Sequence, residues 1–259
     1  MFVSIVFQGC QSKRQKATKS MRIKDLHSWN LSYLQARDCQ KNLASKVQFI
    51  PLKKQPRLIA GIDCAFSKDG KKIIAAVVVL KLPDFVSVET TSALRKVTFP
   101  YIPGLLSFRE APVCTAAVEK LKTRPDVFII DGQGIAHPRR LGLAAHLGLF
   151  FDKPTIGCAK SRLIGQFEEP PLEKGEYSLL TDMKSTKRQT SHESRATSDE
   201  VIGAVVRTRT NVKPVFVSVG NKCLLKDAIR ITLAGTTKYR LPEPTRLAHQ
   251  LVSKLKLKT

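Results

Sequence analysis

The sequence lacks paired cysteines, long apolar runs and internal repeats. Its six cysteines occur singly, without a Cys-x-x-Cys motif, at positions 10, 39, 64, 114, 158 and 223. This spacing argues against a zinc ribbon or a dithiol redox motif, and it predicts reduced thiols in a cytoplasmic protein. No run of 18 apolar residues is present, so the sequence does not predict a transmembrane helix.

Acidic residues are scarce: 21 Asp and Glu stand against 44 Lys and Arg, and the formal net charge is +23. This excess predicts a polyanionic partner, because lysine and arginine side chains that neutralise phosphates release bound counterions. An anionic membrane surface attracts the same charge, but the basic residues are spread along the chain rather than gathered on one amphipathic helix. We therefore expect a nucleic-acid partner and no membrane partner.

Basic residues are densest at the start of the chain. Residues 1–20 contain four basic residues and no acidic residue, which predicts a flexible basic arm. Residues 184–198 contain one apolar residue, Ala196, among Ser, Thr, Lys and Arg, and predict a polar surface loop. The chain is 42% apolar, so we expect residues 21–259 to form a single domain of a monomeric protein, with two small domains as the alternative.

Hydrophobic periodicity predicts a strand meander followed by alternating strands and helices. Apolar residues at helical spacing predict a first helix from Ser28 to Val47, capped by Ser28 or Asn30. Together these patterns indicate an α/β fold with a mixed sheet flanked by helices. The other predicted elements are strands at 58–66, 73–80, 86–97, 126–130, 155–158, 201–208 and 214–219 and helices at 107–122, 138–151, 224–233 and 243–255.

Two prolines frame a short aromatic and aliphatic segment, Pro100-Tyr101-Ile102-Pro103. Each proline fixes φ and removes a backbone donor, so the segment cannot pair as a central strand and forms a stiff tip. In so basic a protein, such a tip suggests a wedge that inserts between stacked bases. A proline turn that carries a packed tyrosine is the alternative.

Three carboxylates stand out by their context. Asp63 lies inside an apolar strand, on the face of small neighbours such as Gly61, which leave room for something large. Asp131 ends a predicted buried strand, and Glu110 is spaced from Ser107 as in a capping box. Gathered carboxylates are what a divalent cation for phosphodiester hydrolysis requires. The alternatives are a core acid, a turn residue and a capping partner, respectively.

Several segments together resemble the endonuclease V family, in register from about residue 29 to residue 251. They are Gly61-Ile62-Asp63, the proline segment with Gly104, Phe108-Arg109-Glu110, the run from Asp131 to Arg139, Gly157-Cys158-Ala159-Lys160-Ser161, and the segments 202–209, 213–220 and 239–246. The resemblance implies a ribonuclease-H-like fold. It also implies a Mg²⁺-dependent endonuclease, for which Mn²⁺ can substitute, that cleaves DNA at the second phosphodiester bond 3′ to deoxyinosine in the repair of deaminated adenine.

The resemblance also assigns roles to single residues. The metal-binding and catalytic carboxylates correspond to Asp63, Glu110 and Asp131. The strand-separating wedge corresponds to Pro100, Tyr101, Ile102 and Pro103. The pocket for the flipped hypoxanthine and the neighbouring phosphate corresponds to Leu106, Gly132, Gln133, Gly134, His137 and Lys160.

One position departs from the family pattern. After Ser218-Val219-Gly220 the family usually carries histidine, and this chain carries Asn221. We expect Asn221 at the same sheet end as the carboxylates, in a catalytic position where an amide can form hydrogen bonds but cannot transfer a proton near neutral pH. Two alternatives stay open: an endoribonuclease acting on inosine in RNA, and a non-cleaving nucleic-acid-binding protein with a decayed site. The remaining histidines, His249 among them, show no partner spacing.

Overall fold

The computed structural model describes residues 21–182 and 200–257. The arm predicted for residues 1–20 and the loop predicted for residues 184–198 therefore lie outside the described residues. Within the described ranges, the chain forms an eight-stranded sheet and five helices. The elements are α1 (Tyr33–Ala44), β1 (Leu58–Phe66), β2 (Lys72–Lys81), β3 (Val86–Lys96), α2 (Leu106–Val118), β4 (Val127–Ile130), α3 (Leu143–Phe151), β5 (Thr155–Ala159), β6 (Tyr177–Asp182), β7 (Glu200–Val206), β8 (Val215–Asn221), α4 (Leu225–Ala234) and α5 (Glu243–Lys256).

The strands lie in the order β3-β2-β1-β4-β5-β8-β7-β6. The central strands β1, β4 and β5 run parallel, and all other neighbours are antiparallel. The mixed α/β sheet predicted from the sequence, of ribonuclease-H type, is confirmed. We call the end of the sheet at which β1, β4 and β5 finish the carboxylate end, because Asp63 and Asp131 lie there.

Alternating side chains of the central strands build one hydrophobic core on each face of the sheet. On the first face, Ile62 and Ile130 pack with residues of α2 and α3 such as Leu147. On the second face, Ile59 and Ile129 pack with residues of α4 and α5. Alternation of this kind follows from the two-residue repeat of a strand, and it leaves the helices covering both faces of the parallel centre.

Helix α5 crosses the second face in direct contact with β1. A Cβ atom on Gly61 would lie 2.0 Å from the carbonyl carbon of Pro244, so no larger residue fits beneath the start of this helix. The large neighbour predicted from the small residues beside Asp63 is therefore the first turn of α5. This contact fixes the position of the helix relative to the carboxylate end.

The predicted strands agree closely with the observed ranges, whereas two helices, α1 and α3, begin several residues later than predicted. Helix α1 begins at Tyr33 and not at Ser28, because Ser32 caps it and forms a capping box with Gln35. Helix α3 begins at Leu143 and not at Pro138, because the Arg140 amide closes a turn onto the His137 carbonyl and Arg140 has a φ of 57°. Strand β6 was not predicted.

The predicted capping box of Ser107 and Glu110 is wrong. Helix α2 begins one residue before Ser107, with Leu105 at its N-cap and no side-chain cap. The Ser107 backbone is therefore already helical, and its hydroxyl lies 3.1 Å from Nδ1 of the buried His146. Glu110 is thereby free of a capping role.

Two further observations bear on the composition. The cysteines of the described residues are all free thiols, at positions 39, 64, 114, 158 and 223. Among the described helices, none is both long and apolar enough to cross a membrane.

Candidate active site

Two carboxylates meet because β1 and β4 are neighbouring parallel strands that pair in register. Ile62 of β1 pairs with Ile130 of β4, so the residues that follow them, Asp63 and Asp131, lie next to each other at the carboxylate end. Both side chains are largely buried, with 10% and 14% of their surface exposed. Asp63 Oδ1 accepts a hydrogen bond from the Cys64 amide at 2.8 Å.

A histidine from α5 joins this pair. His249 Nδ1 lies 2.7 Å from Asp63 Oδ2, and one ligand atom each from Asp63, Asp131 and His249 lie within 4.8 Å of one another. On the other side of the site, Lys160 Nζ contacts Asp131 Oδ2 at 2.5 Å. The cluster therefore consists of two acids flanked by a histidine and a lysine.

Glu110 of α2 completes the acidic cluster from the first face of the sheet. Burial, then the negative charge of Asp63 and to a smaller extent that of Asp131 together raise the pKa of Glu110 to about 7. The pKa of Asp63 is also raised, first by burial and then by the charge of Asp131. Three carboxylates thus share a region in which their charges oppose one another.

The cluster fits a divalent cation. The raised pKa values of Asp63 and Glu110 indicate uncompensated negative charge, which a bound cation offsets. The donors are carboxylate oxygens with one imidazole nearby, the set that oxygen-preferring divalent cations take. The three carboxylates predicted from the sequence are therefore brought together, and His249 is added to them.

A cavity of ≈ 350 Å³ opens beside the cluster, and Glu110 and Asp131 form part of its wall. Tyr101 lies at this cavity with 68% of its surface exposed. The fraction is high for a tyrosine, and it does not fit the alternative of a packed turn residue. The lining residues that the sequence singled out are Tyr101, Ile102, Pro103, Leu106, Gly132, Gln133 and His137.

Three of the residues predicted for the wedge and the pocket, Pro100, Gly134 and Lys160, do not line the cavity. Gly134 instead anchors the loop behind it: its amide donates to Ser218 Oγ at 2.8 Å, and a Cβ there would lie 2.1 Å from the Val219 carbonyl oxygen. Lys160 instead contacts the acidic cluster, through Asp131.

Two polar side chains of the cavity wall, Gln133 and His137, have a defined hydrogen-bonding or protonation state. Gln133 donates from Nε2 to the Ser161 carbonyl at 3.0 Å, while its Oε1 is buried without a hydrogen-bond partner among the described residues. Burial and, to a smaller extent, the positive charge of Arg139 together lower the pKa of His137 to about 4. His137 is therefore neutral at physiological pH.

The placement predicted for Asn221 is wrong. Strand β8 runs antiparallel to β5, and Asn221 pairs with Thr155 at the start of β5, which is the opposite end of the sheet from Asp131. Its buried amide accepts a hydrogen bond from the Gln48 amide and donates one to the Gly148 carbonyl, each at 3.0 Å. Asn221 thus joins backbone segments far from the carboxylates.

Sequence reasoning missed His249. Nothing in the spacing of the chain connects it to Asp63, because 186 positions separate the two residues. Gly61 was the available signal, since a glycine inside an apolar strand marks the close approach of another backbone. That backbone is α5, which carries His249.

The fold and the site together define an α/β enzyme of ribonuclease-H type whose acidic centre lies beside a cavity. The Endonuclease V family model matches residues 41–250. Endonuclease V of Trichormus variabilis is 47% identical over 234 residues, which are 90% of this chain and 99% of the relative. That of Petrotoga mobilis is 43% identical over 236 residues, or 91% and 99%.

Solved structures agree with this relationship. Bacillus subtilis endonuclease V has a TM-score of 0.82 and 31% identity, covering 92% of this chain and 98% of that one. A Ciona intestinalis endonuclease V, in complex with a 23mer DNA containing an inosine followed by a ribo-adenosine, has a TM-score of 0.69 and 28% identity, covering 88% and 99%. The chain belongs to the endonuclease V family. It is an endonuclease, an enzyme that hydrolyses phosphodiester bonds.

Proposed function

We propose that this protein is a Mg²⁺-dependent endonuclease that cleaves DNA at the second phosphodiester bond 3′ to deoxyinosine, in the repair of deaminated adenine. The observation that carries the proposal is that Glu110 and Asp131 of the carboxylate cluster share a cavity wall with the exposed, proline-framed Tyr101. The inosine-containing DNA bound by the Ciona relative supports the choice of substrate.

The residues at the cavity suit a base that has left the helical stack. Tyr101, held by the prolines on either side, can fill the gap that the base leaves, which offsets part of the unstacking cost. Inside the cavity, neutral His137 can donate or accept a hydrogen bond without the repulsion or attraction of a charge. Within the described part of the chain, Gln133 Oε1 has no hydrogen-bond partner, and hypoxanthine carries a ring N–H that adenine lacks.

The acidic cluster suits the cleavage step. A bound divalent cation stabilises charge on the phosphate and lowers the pKa of an attacking water. Asp63, Glu110 and Asp131 would hold it, and Mn²⁺ offers the same preference for oxygen ligands. His249 orients the Asp63 carboxylate through the Nδ1 contact, and Lys160 places a positive charge beside Asp131.

Of the two alternative functions, one observation supports the endoribonuclease, whereas the non-cleaving binding protein is no longer supported. The ribonucleotide after inosine in the Ciona complex favours, as a second candidate, cleavage of inosine-containing RNA. The non-cleaving binder is set aside, because the chain is a member of an endonuclease family and Asn221, which motivated that alternative, lies at the other end of the sheet.

The test is cleavage of matched single-stranded and duplex DNA and RNA that contain inosine, adenine or guanine at one position, with Mg²⁺, Mn²⁺ or EDTA. We expect cuts only in inosine-containing strands, only with metal, and at the second 3′ bond when the ends are mapped. Equal cutting of adenine-containing strands, or cutting in EDTA, would contradict the proposal. The RNA strands decide between the two candidates.

We also infer that the protein acts as a monomer, since one chain supplies the wedge, the cavity and the carboxylates. Size-exclusion chromatography with light scattering of the free and DNA-bound protein tests this. The single nuclease domain and the cytoplasmic location stay predictions.

A further inference from the structure

A second exposed tyrosine lies at the carboxylate end of the sheet, away from the cavity. Tyr239 belongs to the segment between α4 and α5 and has 41% of its surface exposed. It is not among the residues of the cavity wall. None of the roles described above uses it.

Hydrogen bonds on both sides of Tyr239 tie its segment to the carboxylate end. Arg240 donates from its guanidinium to the carbonyls of Lys160 and Pro214, each at 2.7 Å, and its own carbonyl accepts from Thr208 Oγ1 at 2.6 Å. Lys160 follows β5, Pro214 precedes the antiparallel β8 and Thr208 follows β7, so all three lie at that end. Tyr239 is thus placed close to Lys160, which contacts Asp131.

The ring of Tyr239 is built into a stacked arrangement. The guanidinium carbon of Arg246 lies 4.2 Å from the ring centroid. Arg246 is itself fixed by the buried Glu243, whose Oε2 accepts from Nε at 2.8 Å and from a terminal nitrogen at 2.5 Å. Lys238 Nζ lies 5.5 Å from the same centroid. A stacked arginine held by a carboxylate leaves the aromatic ring pre-ordered, which lowers the entropic cost of binding a second ring.

Tyr101 and Tyr239 belong to segments that pack on opposite faces of the sheet. Ile102, next to Tyr101, packs with Leu105 and Phe108 at the start of α2, which covers the first face. Leu241, two residues after Tyr239, packs into the core of the second face. Arg246 lies one helical turn before His249, the residue that reaches Asp63. A strand that passes from the cavity across the carboxylates therefore reaches Tyr239.

We propose that Tyr239, stacked on Arg246, is a platform for a base on the 3′ side of the cut, with Lys238 and Arg246 near the adjoining phosphates. The assignment of Tyr239 to the 3′ side rests on the proposed function, in which the inosine occupies the cavity and the scissile bond lies 3′ to it. An aromatic ring flanked by cations suits single-stranded nucleic acid of any sequence, because every base presents a flat face and every nucleotide a phosphate. The platform holds the leaving strand and does not read the lesion.

The test is a scan with the fluorescent base 2-aminopurine, placed at successive positions 3′ to inosine in single-stranded DNA. Binding is measured in EDTA, and electrophoresis checks that the strand stays intact. We expect one position beyond the cut at which wild-type protein and Tyr239→Phe quench the fluorescence and Tyr239→Ala does not. Tyr239→Ala should also bind the full strand about 5- to 50-fold more weakly.

Two controls make the result specific. A strand that ends at the cut lacks the base in question, so Tyr239→Ala and wild type should bind it equally. Tyr33→Ala removes another tyrosine that is 48% exposed and lies near an arginine, on α1, and it should leave quenching beyond the cut unchanged. Equal losses on full and shortened strands, or unaltered quenching in Tyr239→Ala, overturn the platform. Cleavage mapping on the same strands with metal tests the proposed function separately.

Discussion

Replacing Gly61 with alanine should push α5 away from β1, and the displaced helix should disturb the active site. The new Cβ would lie 2.0 Å from the Pro244 carbonyl carbon and 2.3 Å from the Thr245 amide nitrogen. Carbon atoms in contact lie about 3.5–4.0 Å apart, so the two backbones must separate locally by about 1.5–2 Å. The helix that moves also carries His249, which lies 2.7 Å from Asp63.

Two effects of different size follow from this displacement. Overpacking of this kind costs about 1–3 kcal/mol, which for a protein of this size lowers the melting temperature by about 2–12 °C. A misplacement of about 1 Å at a reacting centre can reduce the rate about 100-fold. We therefore expect Gly61→Ala to be folded at 25 °C and to cleave inosine-containing DNA about 10- to 100-fold more slowly in single-turnover experiments.

The control is Gly235→Ala. Gly235 ends α4 with a φ of −79°, and its new Cβ would meet the Ile231 carbonyl oxygen at 3.2 Å, which needs only a small adjustment. Combining Gly61→Ala with His249→Ala supplies the second check: the melting temperature should fall as before, but the rate should fall little below that of His249→Ala alone. A Gly61→Ala protein that cleaves at the wild-type rate would refute the reasoning.

Four further predictions concern the remaining predicted groups. Asp131→Asn should lower the cleavage rate more than about 1000-fold. Binding of inosine-containing strands, measured by anisotropy, should stay equal or tighten, because negative charge facing phosphate is removed. Retained cleavage would exclude Asp131 from the metal site. Tyr101→Ala should lose about tenfold more activity on duplex than on single-stranded DNA, since only the duplex pays the unstacking cost; equal losses would make Tyr101 a generic contact. Asn221→Ala removes two buried hydrogen bonds and should lower the melting temperature by about 2–8 °C. Single-turnover cleavage at 25 °C should be unchanged. A slower rate would indicate that Asn221 has a role in the active site. Deletion of residues 1–20 removes four basic residues and should weaken binding of inosine-containing and plain strands by similar factors and reduce the salt dependence; an altered ratio of the two affinities would contradict a non-selective arm.

Local pattern was sufficient for the sheet and for the residues that carry their own signal. The strands followed from runs of β-branched and apolar residues, since a buried strand is recognisable within a few residues. The exposed position of Tyr101 followed from two prolines, whose effect on the backbone acts at the position itself. Asp63 and Asp131 followed from the cost of placing a carboxylate within or at the end of an apolar strand, and the structure brings them together through the register of β1 and β4.

Helix starts were predicted less well, because several residues compete for each cap. Ser28, Asn30 and Ser32 can all cap α1, and packing selects Ser32. Ser107 and Glu110 match a capping box in sequence, yet the chain enters α2 one residue earlier and the hydroxyl faces His146. A cap requires a non-helical backbone at one residue, and tertiary contacts decide which residue that is.

The sequence by itself determined the fold class and the family, and it singled out Asp63, Glu110 and Asp131. Tertiary structure decided where Asn221 and His249 lie relative to these acids. Asn221 follows a buried strand, as Asp131 does, but β8 runs antiparallel to β5 and carries Asn221 to the opposite end of the sheet. His249 has no local signal and reaches Asp63 across 186 positions, because the first turn of α5 packs directly on Gly61 of β1. Strand direction and helix placement arise from contacts between distant segments, and spacing along the chain does not encode them.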